Sequence, residues 1–294
     1  MAAIRKSAGD RVFDVCNYCL LILLSVIFLY PMLHVLFASF SDPARLISHR
    51  GILLYPKGFT LTGYGIVFKD RNTLLGYANT LFYMVVGTGL NLLLTSMGAY
   101  VLSRKSFMLK KAMSVMLVVT MYFSGGLIPN FLLVKSLGMY DNRLALILPT
   151  AISAYNLIVM RTAFSQLPDG LEESAKIDGA NDFTILFRIV LPVSMSVVAV
   201  MVLFYAVGHW NGWFNAYIYL RTRTKYPLAL FLRETLIENR ISADMEFTDS
   251  AESFFTKALI KYCTIIVSTV PILVIYPFLQ KYFAKGVMVG SLKG

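Results

Sequence analysis

The sequence predicts an all-α protein that crosses a membrane six times. Of its 294 residues, 57% are apolar and only 15% charged. Soluble domains carry about 25% charged residues, so this chain falls outside that class. The apolar residues form long runs rather than stripes of period 3.6, as lipid-facing helices do. Mean hydropathy is +0.66. Six runs are long enough to cover the roughly 20 residues that a bilayer core requires, near 16–38, 74–101, 112–133, 143–160, 193–217 and 258–280.

Arg5, Lys6 and Arg11 precede the first run, which is interrupted by Pro31 and His34. It is longer than the h-region of a cleavable signal, so it reads as a retained first span. Cys16 and Cys19 have CxxC spacing, but the chain holds three Cys and three His. Two small residues facing neighbours at the start of a span is the simpler reading than a zinc site. The net charge of +11 suits anionic lipid headgroups. Its basic residues are scattered through loops without forming a patch, which argues against nucleic acid.

Six spans put both termini on one side. With the N-terminus inside, inner segments hold 13 of the 27 basic residues, which decides nothing. The short hairpins discriminate better. Residues 102–111 carry Arg104, Lys105, Lys110 and Lys111, whereas 134–142 carries only Lys135. That bias places both termini in the cytoplasm. Two long outer loops follow, at 39–73 and 218–257. Pro43, Gly51, Pro56 and Gly58 should turn the first several times. The second has a basic half (Arg221, Arg223, Lys225, Arg233) and an acidic half (Asp244, Glu246, Asp249, Glu252). It reads as a solvated surface or as a dock for an outside partner.

The long inner loop, 161–192, is the most patterned segment. Asp169 is placed to cap a helix, with Glu172 three residues on as in a capping box. Glu172 and Glu173 lie in the first turn, where the helix dipole favours negative charge. Gly179 should stop that helix in the left-handed conformation. Asn181 can cap a second helix, whose Phe183, Leu186, Phe187 and Val190 make one apolar stripe. Pro192 suits the first turn of the next span.

No Asp or Glu falls inside an expected span, which weakens an ion-coupled secondary transporter as the reading. There is no phosphate-binding GxxxxGK[ST] loop and no catalytic constellation, so the chain should bind no ATP or other cofactor and should not be an enzyme. The spans do carry amides. Asn79 and Asn91 lie in the second, Asn156 in the fourth, and Trp210, Asn211, Trp213 and Asn215 end the fifth. Such groups hold helices together or line a polar path. Packing is favoured for Asn79, Thr95 and Ser153. The Trp cluster suits an interfacial anchor and a sugar-stacking site equally. Pro271 and Pro277 should kink the sixth span.

The order Glu173-Ser174-Ala175, Asp178-Gly179-Ala180, Ile189-Val190-Leu191-Pro192 resembles the "EAA" loop of ABC importer membrane subunits. Glu-Ser-Ala replaces the commoner Glu-Ala-Ala, and Ser196 stands where many members have a second proline. The resemblance covers the whole chain. Tyr30-Pro31, the basic loop and the ending from Gln280 through Gly286 to Gly294 look like the carbohydrate-uptake branch, and most like its permeases for oligosaccharides or polysaccharide fragments.

The resemblance implies a type I importer permease fold, residues 1–294 forming one transmembrane domain in a bacterial cytoplasmic membrane. It also implies partners: a second permease subunit in a heterodimer, two cytoplasmic ATPase subunits holding ATP and Mg, and an extracytoplasmic solute-binding protein. The inner loop would be the coupling helix. Glu173 would offer a carboxylate to the ATPase, with Glu172 and Ser174 beside it. Ala175 and Ala180 would permit close approach, Gly179 would make the turn, and Asp178 would cap the second helix or pair with the ATPase. The outer loop at 218–257 matches where related subunits touch the binding protein, and the tail 281–294 one that reaches toward the ATPases. A non-sugar solute and a structural membrane protein remain as alternatives.

Overall fold

A computed structural model describes residues 8–244, 258–274 and 277. Glu246, Asp249, Glu252, Arg5, Lys6, the end of the sixth expected span and the tail 281–294 lie outside the described residues. Every described element is helical, apart from one isolated β-bridge, Ser41 to Phe59. The chain divides into two compact units, one drawn from Met1–Asp70 and Thr235–Thr269, the other from Arg71–Glu234 and Val270–Gly294.

The first unit begins with α1 (Ala8–Ser39). At 1.5 Å per residue it is about 48 Å long, more than the roughly 30 Å hydrocarbon core. It runs through Pro31 without a break, and apolar side chains such as Phe28 and Ile22 are exposed along it. Cys16 and Cys19 are exposed too.

The outer loop 39–73 turns at Gly51 (φ 115°) and Gly58 (φ 72°). It folds into α2 (Pro43–Ser48), capped by Asp42, and α3 (Thr62–Lys69). Gly63 lets α3 approach α15 (Ala258–Val274): a Cβ there would lie 2.6 Å from the Cys263 sulfur. Pro271 is accommodated inside α15.

The second unit is built on α4 (Arg71–Ser103), which buries Asn79, Thr80, Tyr83, Asn91, Thr95 and Tyr100 among its inward positions. Around it pack α8 (Ala154–Phe164) and α12 (Met195–Trp210). Gly87 admits the His209 ring and Gly98 the Leu157 side chain, the close approach that small residues allow between membrane helices.

Among the described residues only α1 and α4 are single helices long and apolar enough to cross a bilayer. The expected spans at 112–133, 143–160 and 193–217 are interrupted. The first comprises α5 (Lys110–Tyr122) and α6 (Leu127–Ser136), bent by 113°. Gly126 at φ 85° makes that corner. The second splits into α7 (Leu144–Ile147) and α8, with Pro149 in the gap and Ser153 capping α8. The third starts at an 89° bend at Ser194 and breaks again at 211–213, between α12 and α13 (Phe214–Tyr219). Broken helices survive at membrane depth where other groups take up the freed backbone bonds.

Candidate functional site

The inner loop folds as two helices joined by a tight turn. The first, α9 (Asp169–Ile177), ends in a Schellman motif. Ala180 N–H donates to Ala175 O (2.9 Å) and Gly179 N–H to Lys176 O (3.0 Å), with Gly179 at φ 79° as its pattern requires. Asn181 caps the next helical run through the Thr184 N–H (2.8 Å). This run consists of α10 (Asp182–Ile185), a π turn at Leu186–Val190 and α11 (Leu191–Val193). Asp178 is the C-terminal cap residue of α9 and does not cap the second helix.

Three expectations are corrected here. Asp169 is the first helical residue rather than the cap, a position taken by Pro168. Its carboxylate accepts from Lys105 Nζ at 2.5 Å instead. That pair holds the Asp169 carboxyl below its ordinary range and raises the Lys105 amine. Secondly, Glu172 does not face outward. It pairs with Arg104 and with Lys176 (2.7 Å), and its side chain is only 15% exposed. Thirdly, Ala175 is buried in this chain's own core with Met160, Phe164 and Ile185, so it offers no approach to another protein.

The apolar stripe also divides. Leu186 and Val190 are buried in that core, whereas Phe183 and Phe187 are 61% and 44% exposed. The π turn shifts the residues after Ile185 out of the 3.6 register. At the turn Ile177 is 86% exposed, beside the exposed Glu173, Ser174, Asp178 and Gly179. Ala180 is half-buried against the core. An exposed isoleucine and phenylalanine flanked by carboxylates form a small amphipathic tip.

The root of the loop is fastened to the end of α4. Arg104 donates to Glu172, to the Ser103 hydroxyl (2.8 Å) and to Phe164 O (3.4 Å). Its guanidinium lies 4.7 Å from the Tyr100 ring centroid. The Tyr100 hydroxyl donates to Asp182 at 3.3 Å, so both inner helices are tied to α4. Sequence reading registered Arg104 only as a topogenic charge. Its partner is 68 residues away, with no local signal to pair them.

At the other end of α4 the outer segment 219–228 is pinned down. Asn79 donates to Thr224 O (2.7 Å) and Tyr226 O (3.1 Å) and accepts from Arg143 (2.9 Å). Tyr83 donates to Lys225 O, and Thr80 accepts from Leu228 N–H. Asp141, held at φ 53°, accepts from the Arg221 and Thr222 amides, the Thr222 hydroxyl (2.6 Å) and Lys225 (3.2 Å). The Thr222 hydroxyl and amide, ahead of the other donors, hold the Asp141 carboxyl well below the usual carboxylate range. A depressed folded-state pKa contributes stability that is present above the unfolded pKa and is lost as pH falls through the folded one. Corrected hydrogen-exchange protection of the Arg221 and Thr222 amides should therefore hold through mildly acid pH. It should fall only below about pH 4, the ordinary aspartate range. Asp141→Ala should remove that protection at every pH.

Most of the amides and Trp residues expected along a polar path are engaged within the chain. Asn79 spends both amide N–H groups on the outer segment and its Oδ1 on Arg143. Asn91, 1% exposed, donates to Thr150 O (2.6 Å) and Ala151 O (2.8 Å) and accepts from His209 Nε2 (2.7 Å). Trp210 is buried at 5% exposure, and Asn211 bonds back to Val207 O. One face of the Trp213 ring is covered by Arg233, whose guanidinium lies 3.4 Å from its centroid. Asn156 and Asn215 line a cavity, of ≈ 260 Å³, at the α7–α8 break.

Residues 92–220 match the family model described as "Binding-protein-dependent transport system inner membrane component". The chain is 42% identical over 286 residues to the polygalacturonan/rhamnogalacturonan transport system permease protein YtcP of Bacillus subtilis, covering 97% of this chain and 99% of that one. It is also 42% identical to Protein LplC of the same organism, over 98% and 97% of the two chains. A subunit of a solved bacterial ABC transporter involved in the import of the acidic polysaccharide alginate superposes with a TM-score of 0.87 at 32% identity, covering 96% of this chain and all of that one. With the fastened inner loop on an all-helical frame, these similarities make the chain a member of the family of binding-protein-dependent ABC importer permeases.

Proposed function

We propose that the chain is the membrane-spanning permease subunit of an ATP-driven importer that moves an oligosaccharide delivered by an extracytoplasmic solute-binding protein. Its relatives support the carbohydrate: their names specify polygalacturonan or rhamnogalacturonan, galactooligosaccharides and, for the solved structure, alginate. The six-span topology with cytoplasmic termini, the heterodimeric partner permease and the two ATPase subunits that hold ATP and Mg belong to the same reading. The chain itself supplies no nucleotide site and no hydrolysis.

The observation that carries the mechanism is the contrast within the inner loop. Its root is clasped to α4 by Arg104, while its tip exposes Glu173, Ile177 and Phe183. A tip that docks and a root that cannot slip would convert closure of an ATPase dimer into movement of α4. That helix also carries the outer anchors Asn79 and Tyr83, so both faces of the membrane would respond to one rigid element.

The test is charge reversal at the tip. In the assembled importer, Glu173→Lys should leave membrane insertion intact but reduce recovery of the ATPase with the permease, or uptake, by about thirtyfold. That is the scale of a ~2 kcal/mol interface hot spot. Wild-type uptake and assembly in this variant would exclude the coupling role.

A further inference from the structure

We infer that the cavity at the α7–α8 break is a saccharide subsite, in which this chain itself binds one sugar ring through its hydroxyls. This deepens the carbohydrate-importer reading and rests on it.

The cavity lies within the second unit, where two helix interruptions meet. On one side is the non-helical stretch 148–153, on the other the α12–α13 kink. Gly208 and Gly212 line it and place no side chain in it. Its ≈ 260 Å³ is close to the lower end of small-molecule sites, ~300 Å³, so it suits one ring rather than an oligomer.

The polar groups around it are unevenly satisfied. Tyr205 and Thr150 spend their hydroxyls on Thr95 and on helix carbonyls. Asn156 is only 7% exposed. Its backbone N–H is used in the α8 cap, yet its carboxamide makes no hydrogen bond among the described residues. The carboxamide of Asn215, a half-buried residue that also lines the cavity, is likewise unpartnered among them. His209 donates from Nε2 to Asn91, which leaves Nδ1 as the remaining polar position of a ring that also lines the cavity. Neither carboxamide is sealed away: among the described residues the buried side-chain polar atoms without a partner are Thr88 Oγ1 and Arg233 Nη1, so both amides stand free to meet a ligand in the cavity. Two carboxamides lining one void point to a ligand that supplies both donors and acceptors.

The lining narrows the class. It contains no Lys, Arg, Asp or Glu, so nothing there neutralises an ion. A metal cation or a free phosphate is therefore a poor occupant. A lipid tail would leave both amides unsatisfied. A pyranose presents a C–H face and a rim of hydroxyls, each donor and acceptor. Tyr83, Phe204 and Tyr205 offer ring surface, and Asn156 and Asn215 offer amides. Any carboxylate on an acidic sugar would have to be met outside this cavity.

The experiment uses the complete importer in proteoliposomes, with galacto-oligosaccharides and oligogalacturonides as probes and basal ATP hydrolysis as the control. Asn156→Leu and Asn215→Leu should each lower uptake about tenfold with basal hydrolysis unchanged, and Asn156→Gln should recover part of it. A monodeoxy analogue of the transported sugar should be penalised about tenfold by the wild type and much less by one of the two leucine variants. A merely structural role would not erase that discrimination. If Asn156→Leu fails to assemble, Asn215→Leu alone decides. Wild-type uptake in the assembled leucine variants, or an undiminished deoxy penalty, overturns the subsite while leaving the carbohydrate reading intact. A wild-type importer that takes up neither saccharide overturns both.

Discussion

Replacing Asn91 with leucine should destabilise the second unit by about 3–5 kcal/mol. The side chain is 1% exposed and makes three bonds at once, two to the carbonyls of Thr150 and Ala151 and one from His209. Those carbonyls sit at the α7–α8 break, where no helical N–H is available to them. Each buried group left unsatisfied costs about 1–3 kcal/mol. Single interhelical bonds in membranes measure less, about 0.6–2 kcal/mol, because a partner can usually be found elsewhere. Here the freed groups are backbone carbonyls of an interrupted helix, so the larger figure applies. A thermal denaturation series on purified protein should show the loss. His209→Leu in the Asn91→Leu background should add little, since the two residues share one bond. A melting temperature within a degree or so of wild type would refute the hub role of Asn91.

Charge reversal at Arg104 should be nearly as severe. Glu172 has 15% of its side chain exposed and Arg104 has 17%, so the pair is largely dehydrated. Removing one member of a buried pair costs about 3–5 kcal/mol, reduced here because Lys176 still reaches Glu172. Arg104→Glu goes further, setting two carboxylates against each other and releasing the Phe164 carbonyl. The inner loop should then open to trypsin at Lys176 and Arg188, and uptake should fall with it. Glu172→Arg in the same chain should restore part of both. Lys105→Ala, which breaks only the exposed pair with Asp169, should change neither measurably, because solvent screens such a pair. Equal trypsin sensitivity in wild type and Arg104→Glu would show that the clasp does not hold the loop.

The inner loop was read most accurately from sequence where its structure is local. Gly179 adopts the left-handed turn and Asn181 the cap because each depends on bonds within a few residues. Asp169 was misassigned for a related reason. Its capping-box spacing is satisfied by many arrangements, and Lys105, 64 residues away, competed successfully for the carboxylate. Only the resemblance sets Glu172 and Ala175 toward a partner, and a motif's positions do not tell which face of the helix this chain turns inward. Ile177 draws no reading from sequence, and Phe183 reads there as part of a packed stripe, because an apolar residue in a membrane protein ordinarily suggests burial, yet both are exposed.

The span amides divide in the same way. Composition locates Asn79, Asn91 and Asn156 in apolar surroundings, and each must then find a partner. Three-dimensional contacts decide that Asn79 and Asn91 find theirs within the chain and that the Asn156 carboxamide does not. The sequence by itself determined the membrane class, the helical content and the turn of the inner loop, since these follow from hydropathy and short-range hydrogen bonding. Only the tertiary structure decided where the expected third to fifth spans break, which carboxylate is clasped and which is exposed, and which amides meet at the cavity. Those outcomes depend on partners tens of residues apart, and burial allots each polar group to the partner within reach.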